Sequence, residues 1–212
     1  MQAITHFILW RLGIHQAKSS ITPLERKCLL SHAAGKRSLV EVGVFEGVTT
    51  SYLRRAMAAD GELTAVDPHQ RGRLGFSTHN VIAHAEVDRV SNGSVRWIRS
   101  FGVDAAREYK GSRSTAVDFI FFDGDNSYNG LSALWDAWSP LVATGGLVAL
   151  NDSRSSDARS IDDAGSAVFT RDVILKDSRF KVVEFVETIT VLKRCHDGQP
   201  PCSADDHLRV EN

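Results

Sequence analysis

Cysteine is scarce in this sequence: three residues in 212, at positions 28, 195 and 202, with no CxxC pair among them. An odd count at such spacing argues against a disulfide framework and against a structural zinc site built from cysteine pairs. Reduced thiols in a cytosolic protein are the expectation, although Cys195 and Cys202 could pair in an oxidised sample. An excess of either charge is also lacking. Lysine and arginine number 25 against 26 acids, a formal charge of -1, so no global field favours nucleic acid or a membrane surface as partner. Long apolar runs are absent too. The richest N-terminal stretch, FILWRL at Phe7 to Leu12, is broken by Arg11 and is too short for a signal-peptide core or a membrane span. A soluble, cytoplasmic protein follows as the expectation. No internal repeat is found, which excludes solenoids and propellers.

What remains is ordinary for a globular domain: 42% hydrophobic and 24% charged residues, enough apolar content for one well-filled core. Strand-like and helix-like patterns alternate. Thr22, Pro23 and Glu25 suggest a capped helix start running towards Gly35. Ser38 to Val42 (SLVEV) reads as a buried parallel strand, followed by a helix from Val48 to about Ala59. Glu62 to Val66, Ser94 to Ile98 and Ala116 to Phe122 read as three more strands separated by helix-length sequence. A helix over Ser132 to Leu141 leads through Gly145 and Gly146 into a strand at Leu147 to Leu150. Lys181 to Phe185 and Thr188 to Leu192 then follow one another as a terminal hairpin. The pattern predicts an α/β, Rossmann-like fold with a mostly parallel seven-stranded sheet, an antiparallel edge strand and helices on both faces. Ile4, Phe7 and Ile8 form an apolar stripe on a short N-terminal helix, suited to core packing, to a homodimer face or to a flap over a substrate.

Chemistry gathers at the predicted strand ends. Val40 to Thr50 (VEVGVFEGVTT) runs from a strand through a turn with Gly43 and Gly47 into a helix, an arrangement that lets backbone approach a ligand closely. The turn reads GxxxG and not the GxGxxG of dinucleotide sites. Glu41 lies inside the strand, where a buried acid needs a donor such as a ligand ammonium. Asp67 ends the next strand, twenty residues after Gly47, where a carboxylate can accept both hydroxyls of a ribose. Ser100 follows the third strand. Asp123 and Asp125 end the fourth, in DFIFFDGDNSY, and Asn151 and Asp152 end the fifth, in LVALNDS. Parallel strands bring Asp123, Asn151 and Asp152 to one sheet edge. Hard oxygen ligands there suit Mg²⁺ or Mn²⁺ better than zinc.

The ExGxxxG stretch resembles the first motif of class I S-adenosylmethionine-dependent methyltransferases. The Asp123 and Asp152 segments resemble the metal-dependent O-methyltransferase branch, that is, catechol O-methyltransferase-like enzymes and bacterial sugar O-methyltransferases. The resemblance spans about residues 38 to 192. It implies that Glu41, Gly43 and Gly47 line the methionyl half of the cofactor site, that Asp67 holds the ribose, and that Ser100 and Asp123 complete the cofactor contacts. It further implies a metal on Asp123, Asn151 and Asp152. Two positions depart from the pattern: Asn126 stands where many relatives carry histidine, and Asn151 stands beside Asp152 where others have a different polar or acidic residue. Asn126 cannot act as a base, so Asp125, with Asp123 beside it, is the expected proton acceptor. His69, His79 and His84 are held in reserve.

On this reading, residues 1–36 form a helical flap or dimer face, 37–194 the methyltransferase domain and 195–212 a flexible tail. The polar loop Ser153 to Ala164, with Arg154 and Arg159, reads as a lid. The expected reaction is O-methylation of a small polyhydroxylated acceptor, by resemblance a sugar or mannoside. A NAD-dependent oxidoreductase is the competing class, and a cofactor-binding module without catalysis the third.

Overall fold

Residues 2–72, 75–112 and 116–196 are described in a computed structural model of the chain. Seven strands form one sheet in the order β3-β2-β1-β4-β5-β7-β6. They are β1 (Ser38–Val42), β2 (Glu62–Val66), β3 (Ser94–Ile98), β4 (Val117–Phe122), β5 (Val142–Leu150), β6 (Phe180–Val186) and β7 (Ile189–Arg194). The first five run parallel, and β7 is antiparallel to both β5 and the edge strand β6. The chain order reverses between β1 and β4, so the carboxyl ends of these two strands open a crevice of the kind where α/β sheets bind ligands.

Side-chain alternation along each strand feeds two apolar layers. Val40, Val42, Ile120, Phe122, Val148 and Leu150 face one layer, under helices α5 (Gly102–Ser112), α6 (Tyr128–Trp138) and α7 (Gly165–Asp172). Leu39, Leu63, Phe119, Phe121, Ala149 and Val191 face the other, under α2 (Pro23–Ala33) and α3 (Val48–Ala56). Glu41 shares the parity of Leu39 and so lies on the α2 and α3 side. Helix α4 (Thr78–Asp88) flanks α3, and α1 (Gln2–Arg11) packs on α4.

The start of α2 has the expected cap. The Thr22 hydroxyl accepts from the Glu25 amide, and a Glu25 carboxylate oxygen accepts from the Thr22 amide at 3.0 Å. Several boundaries differ from the sequence reading by a few residues, and two have a visible cause. Strand β5 begins at Val142 and runs through Gly145 and Gly146, because the glycines absorb a register slip against β4 instead of making a turn. Helix α6 begins at Tyr128 because the Ser127 hydroxyl caps it by accepting from the Gly130 amide at 3.0 Å.

Cys195 is disulfide-bonded, unlike the reduced state expected of it; Cys28 is free and buried. The expected tail lies, from residue 197 onward, outside the described residues. Among the described residues no helix is long and apolar enough to cross a membrane.

Candidate active site

The turn after β1 is held by the end of β2. One Asp67 carboxylate oxygen accepts from the amides of Val44 and Phe45, both at 3.0 Å, and the other accepts from the His69 amide at 2.7 Å. Phe45 and His69 carry positive φ angles of 52° and 39°, conformations that bulky residues avoid unless their surroundings hold them. Asp67 supplies that hold. Gly43, at φ 97°, sits against the end of β4, and a Cβ there would overlap the Asp123 carbonyl group, 2.5 Å from its carbon. Gly47, at φ 76°, opens α3 and packs on the α4 backbone at Ala83.

A cavity of about 730 Å³ opens over these strand ends, large enough for a nucleoside with a side arm. Gly43, Asp67, Ser100, Phe101, Asp123 and Asp125 are among its walls. A second pocket, about 230 Å³, continues past Gly43, Phe45 and Asp123 to Lys18, Ser19 and Ser20 of the N-terminal segment. Asp123 borders both spaces, whereas Asp125 borders the larger alone. Asp125 also accepts from the Ser127 amide at 2.9 Å. Glu41 lines neither space. It is wholly buried and both its carboxylate oxygens lack a hydrogen-bond partner; the Thr50 hydroxyl lies nearby out of bonding geometry. Burial pushes its pKa well above the ordinary carboxylate range, with Asp123 and Asp67 adding and Thr50 opposing.

Beside the cavity, Asp123, Asn151 and Asp152 form a connected polar group. The Asn151 amide donates to Asp123 at 2.6 Å. Burial, followed by the Asp152 and Glu25 carboxylates, raises the Asp123 pKa to about 7, against relief from Asn151 and Arg159. Asp152, at φ 48°, accepts from Arg159 at 2.5 Å on one oxygen and from Asn126 at 2.9 Å on the other. Thus Asn126, where the resemblance leads to the expectation of histidine, serves as a donor to Asp152. Asn151, read from sequence as a metal ligand, turns its N–H towards Asp123.

Several partners lie outside the sequence reading. Glu46, in the glycine turn, is buried and accepts from the Lys18 amide at 2.6 Å, with His6 Nε2 at 3.1 Å. This latch ties α1 and the segment after it to the turn. Glu25 accepts from the Thr188 amide at 3.1 Å and its hydroxyl at 2.5 Å, and that hydroxyl faces Asn151. Only the acidic character of Glu46 between the glycines hinted at such a role. Of the reserve histidines, His69 and His79 stand on the wall of the larger cavity and His84 lies outside it. His69 is buried against the Phe45 carbonyl, His79 meets the Phe45 ring edge-on, and His84 stacks on Trp97, where burial lowers its pKa. In the polar loop, Ser156 bridges Arg159, and Arg154 lies over the Phe185 ring.

The family model described as a methyltransferase domain matches residues 40–153, over half the chain and the stretch that builds this cavity. The chain belongs to this methyltransferase family. Solved structures share the methyltransferase fold. A Corynebacterium glutamicum protein is 20% identical, with 94% of this chain and 93% of that one covered and a TM-score of 0.65. An O-methyltransferase from Bacillus cereus, in complex with S-adenosylhomocysteine, is 17% identical over 92% and 91%, with a TM-score of 0.63. TomG, an O-methyltransferase of Streptomyces achromogenes involved in tomaymycin synthesis and solved with S-adenosylmethionine, is 15% identical over 92% and 91%, with a TM-score of 0.62. No curated protein matches the methyltransferase significantly.

Proposed function

We propose that this methyltransferase transfers a methyl group from S-adenosylmethionine to a hydroxyl of a small polyhydroxylated acceptor, a sugar or mannoside, with a divalent cation, Mg²⁺ or Mn²⁺, beside it. The observation that carries the reading is the cavity over the ends of β1 to β4, walled at once by Gly43, Asp67, Ser100 and Asp123. Its shape and polar groups suit a nucleoside in the larger space and an amino-acid arm in the smaller, near Lys18 to Ser20. The neighbouring O-methyltransferases bound to S-adenosylhomocysteine or S-adenosylmethionine support the same cofactor.

Asp67 faces the nucleoside space while organising the turn, so its carboxylate positions the ribose by fixing both. Gly43 brings backbone against the methionyl arm while Gly47, which lines neither space, opens α3 against Ala83, and Ser100 with Phe101 borders the base. Glu41 lines neither space, and burial without a partner favours its neutral form. The cofactor supplies a methyl group on a cationic sulfur whose departure as a neutral thioether needs no acid. The protein's task is alignment and exclusion of water.

Two carboxylates, Asp123 and Asp152, suit a hard cation. Burial, with the Asp152 carboxylate adding to it, raises the Asp123 pKa, and Arg159 offsets this only in part. The Arg159 side chain is 56% exposed, free to leave the Asp152 oxygen it occupies. Asn151 offers its N–H, so Asp123 and Asp152 would hold the ion while Asn151 contributes its carbonyl only with its amide reversed. A bound cation would lower the pKa of an acceptor hydroxyl. Without it, Asp123, at about 7, is already poised to take a proton near neutral pH, with Asp125 second in line.

Calorimetric titration with S-adenosylhomocysteine, with Mg²⁺ and with EDTA and against NAD, tests the cofactor. Micromolar or tighter binding, about -8 kcal/mol, is the expected result; a preference for NAD would return the chain to the oxidoreductase class. Asp67→Ala is expected to weaken that binding about 100-fold, near 3 kcal/mol, because it removes a charged acceptor from both ribose and turn. Asp152→Ala is expected to divide the roles: turnover with Mg²⁺ and a sugar acceptor drops at least about 100-fold, while homocysteine-nucleoside affinity stays within about twofold. Equal losses of both would contradict the division.

A further inference from the structure

We propose that Cys28, His32 and Glu184 form a zinc-binding site that clips α2 to the edge strand β6. None of the three lines either pocket of the active site. Cys28 and His32 stand four residues apart, on one face of α2. Glu184 comes from β6, where the pairing with β7 shifts register between Val182 and Glu184. Such a bulge re-aims a side chain, and here Glu184 meets the helix. Its Oε2 lies 2.8 Å from His32 Nε2 and 3.6 Å from Cys28 Sγ. The three donor atoms all lie within 4.8 Å of one another.

The distances suit one tetrahedral ion. Zinc bonds of about 2.3 Å to sulfur and about 2.0 Å to nitrogen or oxygen separate neighbouring ligand atoms by roughly 3.5 Å. The sulfur-to-carboxylate spacing already has this value, and the imidazole-to-carboxylate spacing needs to open by about half an ångström. A thiolate, an imidazole and one carboxylate select zinc over magnesium. Three protein ligands leave a fourth position for water, and Glu184, with its side chain 45% exposed, gives the ion a way in. On binding, the Cys28 S–H bond is replaced by a bond to zinc and the proton passes to solvent. The cysteine spacing that speaks against a zinc site in the sequence concerns cysteine pairs alone; a site shared between a helix and a distant bulged strand leaves no such mark.

The clip sits one helical turn from Glu25, which accepts from the Thr188 amide and hydroxyl. Zinc would therefore steady the joint between α2 and the β6–β7 turn without entering the pocket.

Cobalt(II) titration of the full chain under non-reducing conditions tests the site, since Cys195 is then held in its disulfide. The expected result is one equivalent of cobalt with a sulfur-to-cobalt charge-transfer band in the near ultraviolet, displaced by zinc and absent from Cys28→Ser. His32→Gln and Glu184→Gln, both nearer the surface, are expected to weaken affinity at least about tenfold with unchanged thermal melting of the metal-free protein. No charge-transfer band at tenfold excess cobalt, a band that survives Cys28→Ser, or unaltered affinity in both surface variants would overturn the proposal.

Discussion

Gly43→Ala is expected to lower the melting temperature by about 10 °C and to abolish measurable S-adenosylhomocysteine binding. Two costs combine. Alanine at φ 97° adopts a conformation that a Cβ opposes, and the Cβ itself overlaps the Asp123 carbonyl group. Neither strand can retreat, because β1 and β4 are paired along Val42 and Phe122 and the Asp123 amide donates to the Val42 carbonyl at 2.8 Å. Together the costs are about 4 kcal/mol, and a chain of this size loses roughly 2 to 4 °C for each. Differential scanning calorimetry with and without ligand measures both effects. A shift under about 2 °C with binding retained would mean that the turn relaxes freely, and the close-contact account would fail.

Asp123→Asn is expected to do the reverse: a more stable protein that is catalytically dead. The Asp123 carboxyl has a folded pKa of about 7 against an ordinary value of 3.8. The folded state therefore holds a proton that the unfolded chain has lost between these values, and stability falls as pH rises from about 4 to about 7. Above about 7 the loss is complete, with an upper bound of a few kcal/mol. Asparagine carries no charge to desolvate and escapes the loss. The variant should melt several degrees above the parent at pH 8 and close to it at pH 4, while methyl transfer disappears. Adding Mg²⁺ should raise the parent's melting temperature at pH 8 and leave the variant unmoved. A variant that melts below the parent at pH 8 would show that the carboxylate is stabilised by its surroundings, contrary to the burial argument.

The sheet was legible where sequence pattern and local physics agree. Strands β1, β2 and β3 have the boundaries read from sequence, β1 and β2 because buried parallel strands are mostly apolar and β3, a half-buried edge strand, through its β-branched and aromatic residues. Strand β5 was read short because two glycines signal a turn in any local reading, and only the facing strand β4 reveals that they make a bulge. At the site, Asp67 and Asp123 stand on the cavity wall because strand ends in a parallel sheet converge by topology. Their partners were hidden. Arg159 on Asp152 and Thr188 on Glu25 are polar contacts fixed by loop paths and not by periodicity, the second across 163 residues. Asn126 illustrates the limit from the other side: its inability to act as a base was readable, but its hydrogen bond to Asp152 was not.

The latch on Glu46 bears on how this enzyme can be recombined with its relatives. One carboxylate in the glycine turn is shared with His6 and the Lys18 amide, so the first twenty residues and position 46 behave as a single heritable part. A graft that imports another enzyme's N-terminal segment without a matching residue at 46 leaves a buried acid orphaned in the turn. Exchanging both together keeps the joint intact, which makes this pair the natural seam for building chimeras.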